Sequence, residues 1–206
     1  MDQPETTTAA RPYHHGDLKT ALLNEAQAIL ERDGIQALTL RAAARAAGVS
    51  HAAPANHFGD LTGLLSELAA VGFTRFSAML ATARATGAGW PSGARAMGHA
   101  YVAFARSHPN LFLLMFRGER LDTARPALRD AMDAASRALR SASGAPDANL
   151  SPLQIAARAA ARWSLVHGFA MLLLDGRLKA MIGSLPPAED ADDLLDAVLD
   201  MTRFDG

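Results

Sequence analysis

The chain has no cysteine among its 206 residues, which excludes disulfides and thiolate metal sites. Aromatic residues are few, at 6%, whereas half of all positions are apolar, alanine and leucine foremost. That composition suits packed helices more than β-branched strands, no β-hairpin or βαβ pattern is present, and an all-α fold is expected. Excess positive charge is missing too: with a net charge of −1, the whole chain carries no electrostatic signature of nucleic-acid binding. Residues 1–60 are acidic on balance, with five basic side chains (Arg11, Lys19, Arg32, Arg41, Arg45) against seven acidic ones (Asp2, Glu5, Asp17, Glu25, Glu31, Asp33, Asp60). Any grip on a polyanion must therefore come from local placement. The longest strongly apolar run, Trp163 to Leu174, is broken by His167 and falls short of the roughly 20 residues that cross a bilayer, so no membrane span is expected. The N-terminus lacks the basic and apolar regions of a signal peptide, and the expected compartment is the cytoplasm.

Glycine, proline and capping residues punctuate what is there. Residues 1–12 are polar, Thr-rich and end in Arg11-Pro12, which reads as a flexible arm. From Asp17 the apolar positions Leu18, Leu22, Ala26, Ile29 and Leu30 recur at helical spacing, and Gly34 is a C-terminal stop. Thr39 can cap a short helix, Leu40 to Ala47, by accepting a hydrogen bond from an otherwise unpaired amide; Gly48 ends it, and Ser50 is expected to cap a second, His51 to about Phe58. Two short helices joined by a glycine-containing turn form a helix-turn-helix pattern.

Asp60 can then cap a long helix with the stripe Leu61, Leu64, Leu65, Leu68, Phe76, Met79, Leu80 and Ala83, ended by Gly87-Ala88-Gly89. Further helices are expected at about 91–107, 110–117, 122–142, 151–175 and 189–203, separated by Ser107-His108-Pro109, Gly118, Gly144-Ala145-Pro146, Gly176 and Pro186-Pro187. Segment 151–175 is apolar on nearly all sides. The last helix sets Leu194, Leu195, Val198 and Leu199 on one side, with Asp190, Asp192, Asp193, Asp196 and Asp200 largely around the rest. Together these two helices could form half of a four-helix dimer interface. The division expected is an arm over 1–12, a three-helix head over 13–60 and a helical bundle that dimerises over 61–206.

The stretch Asp33-Gly34-Ile35-Gln36-Ala37-Leu38-Thr39-Leu40-Arg41-Ala42-Ala43-Ala44, followed by Ala47-Gly48-Val49-Ser50 and His57-Phe58, resembles the TetR family of regulators over roughly residues 14–66. Each part has a physical use: Leu38, Leu40, Ala44 and Val49 hold two helices against the first, Gly48 permits the tight turn, and Phe58 plugs a small core. Pro54 falls in or just after the first turn of the second short helix, where a missing amide is tolerated.

The resemblance implies binding to a double-stranded DNA operator, with the second short helix entering the major groove. By position it implies that Thr39 and Arg41 contact phosphate. Ser50, His51, Ala52 and Ala53 would face bases or backbone, with Asn56 and His57 farther along the helix. The two alanines offer only apolar contact, for example to a thymine methyl. Thr39 and Ser50 also have a purely structural use as caps. Two positions depart from the family pattern: Ala55 stands where a tyrosine is usual, and Leu61 where a lysine begins the long helix. Both usual residues contact the DNA backbone, a term that often dominates affinity, so binding weaker than is customary for the family is expected.

Farther on, Trp163-Ser164-Leu165-Val166-His167-Gly168-Phe169-Ala170 and Leu172-Leu173-Leu174-Asp175-Gly176-Arg177-Leu178 are similar to the C-terminal domain of a TetR subgroup named for its Trp, His and Gly. That similarity implies a body that binds a small-molecule effector and forms a homodimer through its last two long helices. The usual consequence is a repressor released from its operator when the effector binds. Pocket candidates are the bulky groups on helices that should converge: Phe73, Phe76, Tyr101, Phe104, Phe112, Met115, Met132, Trp163, His167 and Met171. Tyr101, Trp163 and His167 are the polar handles such a mostly apolar pocket needs. The alternative for each is a place in the core, and for His167 a packed ring satisfied by backbone carbonyls.

Rival readings find less support. Gly48-Val49-Ser50-His51-Ala52 approaches a Gly-x-Ser-x-Gly nucleophile elbow but lacks the preceding strand and the second glycine, so no enzyme is expected. His14-His15 lacks the i, i+4 spacing of a helical zinc pair, and neither metal nor cofactor is expected. The remaining alternative is a dimeric ligand-binding or protein-partner module on the same fold that has lost useful DNA affinity.

Overall fold

The computed structural model describes residues 15–87, 92–141 and 149–201, and every described element is helical. The expected arm over 1–12, His14, the stop at Ala88-Gly89, the break at Gly144-Ala145-Pro146 and the last residues expected in the final helix lie outside the described residues. The chain divides after Leu64 into two compact units.

In the first unit, α1 (His15–Asp33) ends at Gly34, whose φ of +80° takes the left-handed conformation that only glycine adopts freely. Its amide donates to the Leu30 carbonyl at 3.0 Å. The loop returns through buried Leu38 to Thr39, whose hydroxyl accepts from the Ala42 amide at 3.0 Å and so starts α2 (Leu40–Ala46). Thr39→Ala should destabilise the head by about 1 kcal/mol; a urea melt of the variant would show it, and Thr39→Ser should restore most of the loss.

α2 ends in a Schellman closure. Gly48, at φ +67°, donates to the Arg45 carbonyl at 3.2 Å, and Val49 donates to that of Ala44 at 3.0 Å. α3 (Ala53–Phe58) follows. Leu22, Ala26, Leu30, Leu38, Ala43, Ala44 and Phe58 are all buried at 1% exposure or less, and α1, α2 and α3 pack on one another around them. The alanines let α2 lie close to α1, and Phe58 fills the space that remains. Leu40 and Val49, expected in this core, are only half-buried.

Asp60 accepts from the Gly63 amide at 2.7 Å and caps α4 (Leu61–Thr86). By length and composition α4 could cross a membrane, but 56% of that window is buried inside the protein, the mark of a core helix. Its apolar stripe differs from the one expected: Leu61 and Met79 are exposed, while Ala69, Gly72 and Phe73 are buried. Gly72 lies close against Met115: a Cβ there would stand 2.7 Å from its sulfur, and that side chain would have to shift.

In the second unit α5 (Ser92–Ser107) is the central helix, packed on by α6 (Pro109–Met115), α8 (Pro152–Leu174) and α10 (Ala191–Met201), while α7 (Pro126–Ser141) packs on α8. Proline at the first position of α6, α7 and α8 marks each start, where its missing amide costs nothing. Ser151 and Gln154 add a capping box to α8. α7 begins four residues later than expected because Leu121–Arg125 is an anchored loop. There the Asp122 amide donates to the buried Ser66 hydroxyl at 2.8 Å, and Arg125 lies 3.6 Å from Glu67.

A 3-10 turn at Gly118–Arg120 and the short α9 (Lys179–Ile182) were not expected. α10 is capped reciprocally: Asp190 accepts from the Asp192 and Asp193 amides, and Asp193 accepts from the Asp190 amide. Its acidic side does not simply face solvent. Asp192 pairs with Arg106, Asp196 with Arg95 and His99, and Asp200 with Arg95, at 2.6–3.1 Å, so charge fastens α10 to α5.

Candidate functional site

The first unit presents the residues nominated for DNA largely on its surface. Thr39, Arg41, Ser50, His51, Ala52 and Asn56 are exposed, and Ala53 and His57 are half-buried. One expectation is corrected: Ser50 does not cap the second short helix. α3 begins at Ala53, its N-cap is Ala52, and no side chain caps it. Ser50 contributes its carbonyl, which accepts from the Ala53 amide at 3.1 Å. The later start follows from Pro54, buried in the first turn of α3, whose fixed φ suits that position. His51 and Ala52 therefore lie in the turn that leads into the helix. Thr39, by contrast, caps α2 as expected and is exposed as well.

Among the cations of this unit, Arg32 is taken up by Asp33 at 2.6 Å, while Arg41 and Arg45 lie exposed on α2. Ala55 is exposed, and Leu61 is 37% exposed. Neither position is demanded by the core.

The second unit contains a cavity of about 1120 Å³. Small residues create it. α8 contributes Ala156, Ala159 and Ala160, where longer side chains would fill the space, while Gly98 of α5 also lines it and lies close to Leu199, 3.0 Å from where a Cβ would stand. Opposite them, α7 sets Met132, Ala135, Ser136, Leu139 and Arg140 along one helical stripe. Of the sequence candidates, Phe73, Phe76, Tyr101, Met115, Met132 and Trp163 line the cavity. Phe104, Phe112, His167 and Met171 are not among its lining residues; Phe104 and Phe112 are core residues at 2% and 0% exposure. Sequence reasoning missed Arg95, Arg140, Arg162 and Asp200, the charged part of the lining. The alanine spacing on α8 was the available signal.

Behind the wall, Trp163 and His167, one turn apart on α8, converge on Tyr101 of α5. The Trp163 Nε1–H donates to the Tyr101 hydroxyl at 3.2 Å, and the Tyr101 oxygen lies 2.9 Å from His167 Nδ1. Indole only donates, so the tyrosine oxygen accepts from Trp163, while the direction of its bond to Nδ1 follows the imidazole tautomer. His167 Nδ1 is thus partnered by a side-chain hydroxyl rather than by the backbone carbonyls of the alternative, and the residue is not among those lining the cavity. Tyr101, Phe112, Phe116 and Trp163 surround its ring at centroid distances of 4.6–6.2 Å. Burial pushes the Tyr101 hydroxyl well above the usual phenol range and holds His167 below the usual histidine value.

A pH dependence follows. The unfolded chain takes up a proton at His167 through the ordinary histidine range, while the folded chain resists until lower pH. This contribution to stability is complete above that range and is lost as pH falls through it toward the lowered folded value. Denaturation midpoints between pH 7.5 and 5 should therefore fall more steeply for the native chain than for His167→Asn; equal slopes would contradict the assignment. Among the described residues there is no cluster of three or more His, Asp or Glu that could hold a metal ion, and Ser50 follows a helix, not a strand.

Comparison with known proteins places this geometry. No curated protein matches the sequence. Among solved structures, a protein with unknown function from Rhodococcus sp. RHA1 is 34% identical, with a TM-score of 0.73 over 93% of this chain and 96% of that one. The TetR family transcriptional regulator PfmR from Thermus thermophilus shares the fold at 19% identity, TM-score 0.59, covering 87% of this chain and 95% of that one. A TetR family transcription regulator from Marinobacter aquaeolei does so at 17% identity, TM-score 0.64, covering 89% and 94%. The family model described as "Tetracyclin repressor-like, C-terminal domain" matches residues 94–202, more than half of the chain. With that match behind a helix-turn-helix first unit, the chain belongs to the TetR family of DNA-binding transcriptional regulators.

Proposed function

We propose that this regulator is a homodimeric repressor whose head, residues 13–60, holds a double-stranded operator and whose body, residues 61–206, releases it on binding a small-molecule effector. The observation that carries the reading is the cavity of about 1120 Å³, slightly above the range of roughly 300–1,000 Å³ common for small-molecule sites. On this reading Thr39 and Arg41 grip phosphate. Ser50, His51, Ala52, Ala53, Asn56 and His57 face the groove. Phe73, Phe76, Tyr101, Met115, Met132 and Trp163 contact the effector. The protein works in the cytoplasm and uses no cofactor.

Dimerisation is assigned to α8 and α10. α8 has only Phe169 and Ala170 fully buried in the single chain, and Leu153, Ile155, Trp163 and Leu172 are exposed on it. Gly168 has nothing within 4 Å of where a Cβ would stand, so packing within the chain does not call for a glycine there. Apolar surface of this extent on a soluble helix is usually covered by a partner.

Coupling requires that the effector prefer one dimer arrangement over the other, since it can shift DNA binding only by that differential affinity. An effector seated on Phe73 and Phe76 would act through α4, the helix in which the two units join in sequence. A second reading, a dimeric ligand-binding or protein-partner module with weak or lost DNA affinity, draws on exposed Ala55 and Leu61, which supply no phosphate donor. Fluorescence anisotropy against the DNA upstream of the gene, titrated with salt, separates the two. Specific binding that an effector weakens supports the repressor; no preference over unrelated DNA at any salt favours the module.

A further inference from the structure

We infer that the cavity takes an organic anion, an apolar body bearing one carboxylate, whose acid group is held by Arg162 of α8 and Arg140 of α7. The inference rests on the effector reading of the cavity and adds the ligand's chemical class.

Among the described residues, four charged side chains line the cavity: Arg95, Arg140, Arg162 and Asp200. Asp200 lies 2.8 Å from Arg95, which also bonds Asp196 at 3.1 Å, so the acidic group of this lining is already committed to a cation. Arg140, which also donates to the Ser136 hydroxyl, and Arg162 give the lining a positive balance. Burial, with the like charge of Arg158 one turn earlier on α8, drives the Arg162 guanidinium below its usual value. A cation held in such a place is stabilised by an anion brought beside it.

Guanidinium suits a carboxylate in particular, because its planar fork donates two parallel hydrogen bonds to the two oxygens. The rest of the wall, including Phe73, Phe76, Met97, Met132 and Trp163, is apolar or aromatic and suits a hydrocarbon body. The aromatic faces could in principle attract a cationic ligand. That ligand would meet two arginines and an aspartate already in use, so charge complementarity favours the anion.

The test uses the full chain and four probes of one tail length below their aggregation limits: decanoate, decyl phosphate, decanol and decyltrimethylammonium. Binding is read by calorimetry and by Trp163 fluorescence, with Trp163→Phe giving the contribution of the second tryptophan for subtraction. Decanoate should bind about tenfold or more tighter than decanol, from the strength of hydrogen bonds to charged groups, and decyltrimethylammonium should bind weakest. The preference should shrink with added salt. Arg162→Gln with Arg140→Gln should abolish it, so that decanoate and decanol bind alike, and Arg162→Lys should keep only part of it.

Decyl phosphate binding tighter than decanoate would overturn the carboxylate assignment. Decanol or the cation binding as well as decanoate, or a preference untouched in the double variant, would overturn the anion inference and leave the cavity reading intact. Binding of none of the four up to its solubility or aggregation limit would count against the cavity reading as well.

Discussion

Phe58→Ala is expected to abolish the folded head. Phe58 is 1% exposed and is the largest buried side chain of the first unit, set among Leu22, Ala26, Leu30, Leu38 and two alanines that cannot expand to replace it. Truncation of a buried phenylalanine costs about 3–5 kcal/mol, because the lost transfer energy is joined by that of the cavity left behind. A unit of this size has a total stability of only about 3–9 kcal/mol at the usual stability per residue. The loss is thus comparable to everything that holds the three helices together. Circular dichroism at 25 °C should show helix lost in proportion to α1–α3, and operator binding should disappear. Phe58→Leu, which keeps most of the volume, should retain both. A Phe58→Ala variant that melts like the native chain would refute the assignment of this ring as the plug of the head.

Tyr101→Ala should damage the second unit on a similar scale. Tyr101 is fully buried and meets Phe76 and Phe112 edge to face at 4.9 and 5.7 Å. Such pairs add to the energy of burial itself, so a loss of about 3–5 kcal/mol is expected by analogy with other buried aromatics. Tyr101→Phe separates ring from hydroxyl. It preserves the packing but removes the partner of both the Trp163 indole and the His167 Nδ1, two part-buried groups, at a cost of about 0.5–1.5 kcal/mol for each hydrogen bond lost. In Tyr101→Phe the steepness of the pH dependence assigned to His167 should also change, because the imidazole loses the hydroxyl bonded to its Nδ1. Equal stabilities for the native chain and Tyr101→Phe would show that these two hydrogen bonds are geometrically present but energetically idle.

The helices were legible wherever a residue's effect is local. Gly34 and Gly48 ended α1 and α2 with positive φ, and Thr39 and Asp60 capped α2 and α4. Ser50 misled because the cap preference of serine competes with the position of Pro54, and the proline set the start of α3. α7 was read too long because Asp122 and Arg125 look helical in isolation, whereas their partners Ser66 and Glu67 lie far off in sequence on α4.

The cavity shows the same limit. The pattern of large residues pointed to Phe73, Phe76, Tyr101, Met115, Met132 and Trp163, but it could not tell them from Phe104 and Phe112, which have the same chemistry and do not line the cavity. What distinguishes the two groups is the run of small residues facing the first, and such an arrangement exists only once α5, α7 and α8 are brought together. The charged lining was missed for a related reason: Arg140 and Arg162 read as ordinary surface residues until α7 and α8 pack.

The central claim is that this TetR-family chain binds a specific operator and yields it to a ligand of the body. The most direct test is anisotropy of a labelled duplex from the DNA upstream of the gene, titrated with protein over a salt series, with and without a ligand shown to occupy the cavity. The expected result is specific binding that weakens steeply with salt and weakens further when the ligand is present. Affinity equal to that for unrelated DNA, or specific binding that no bound ligand alters, would contradict it.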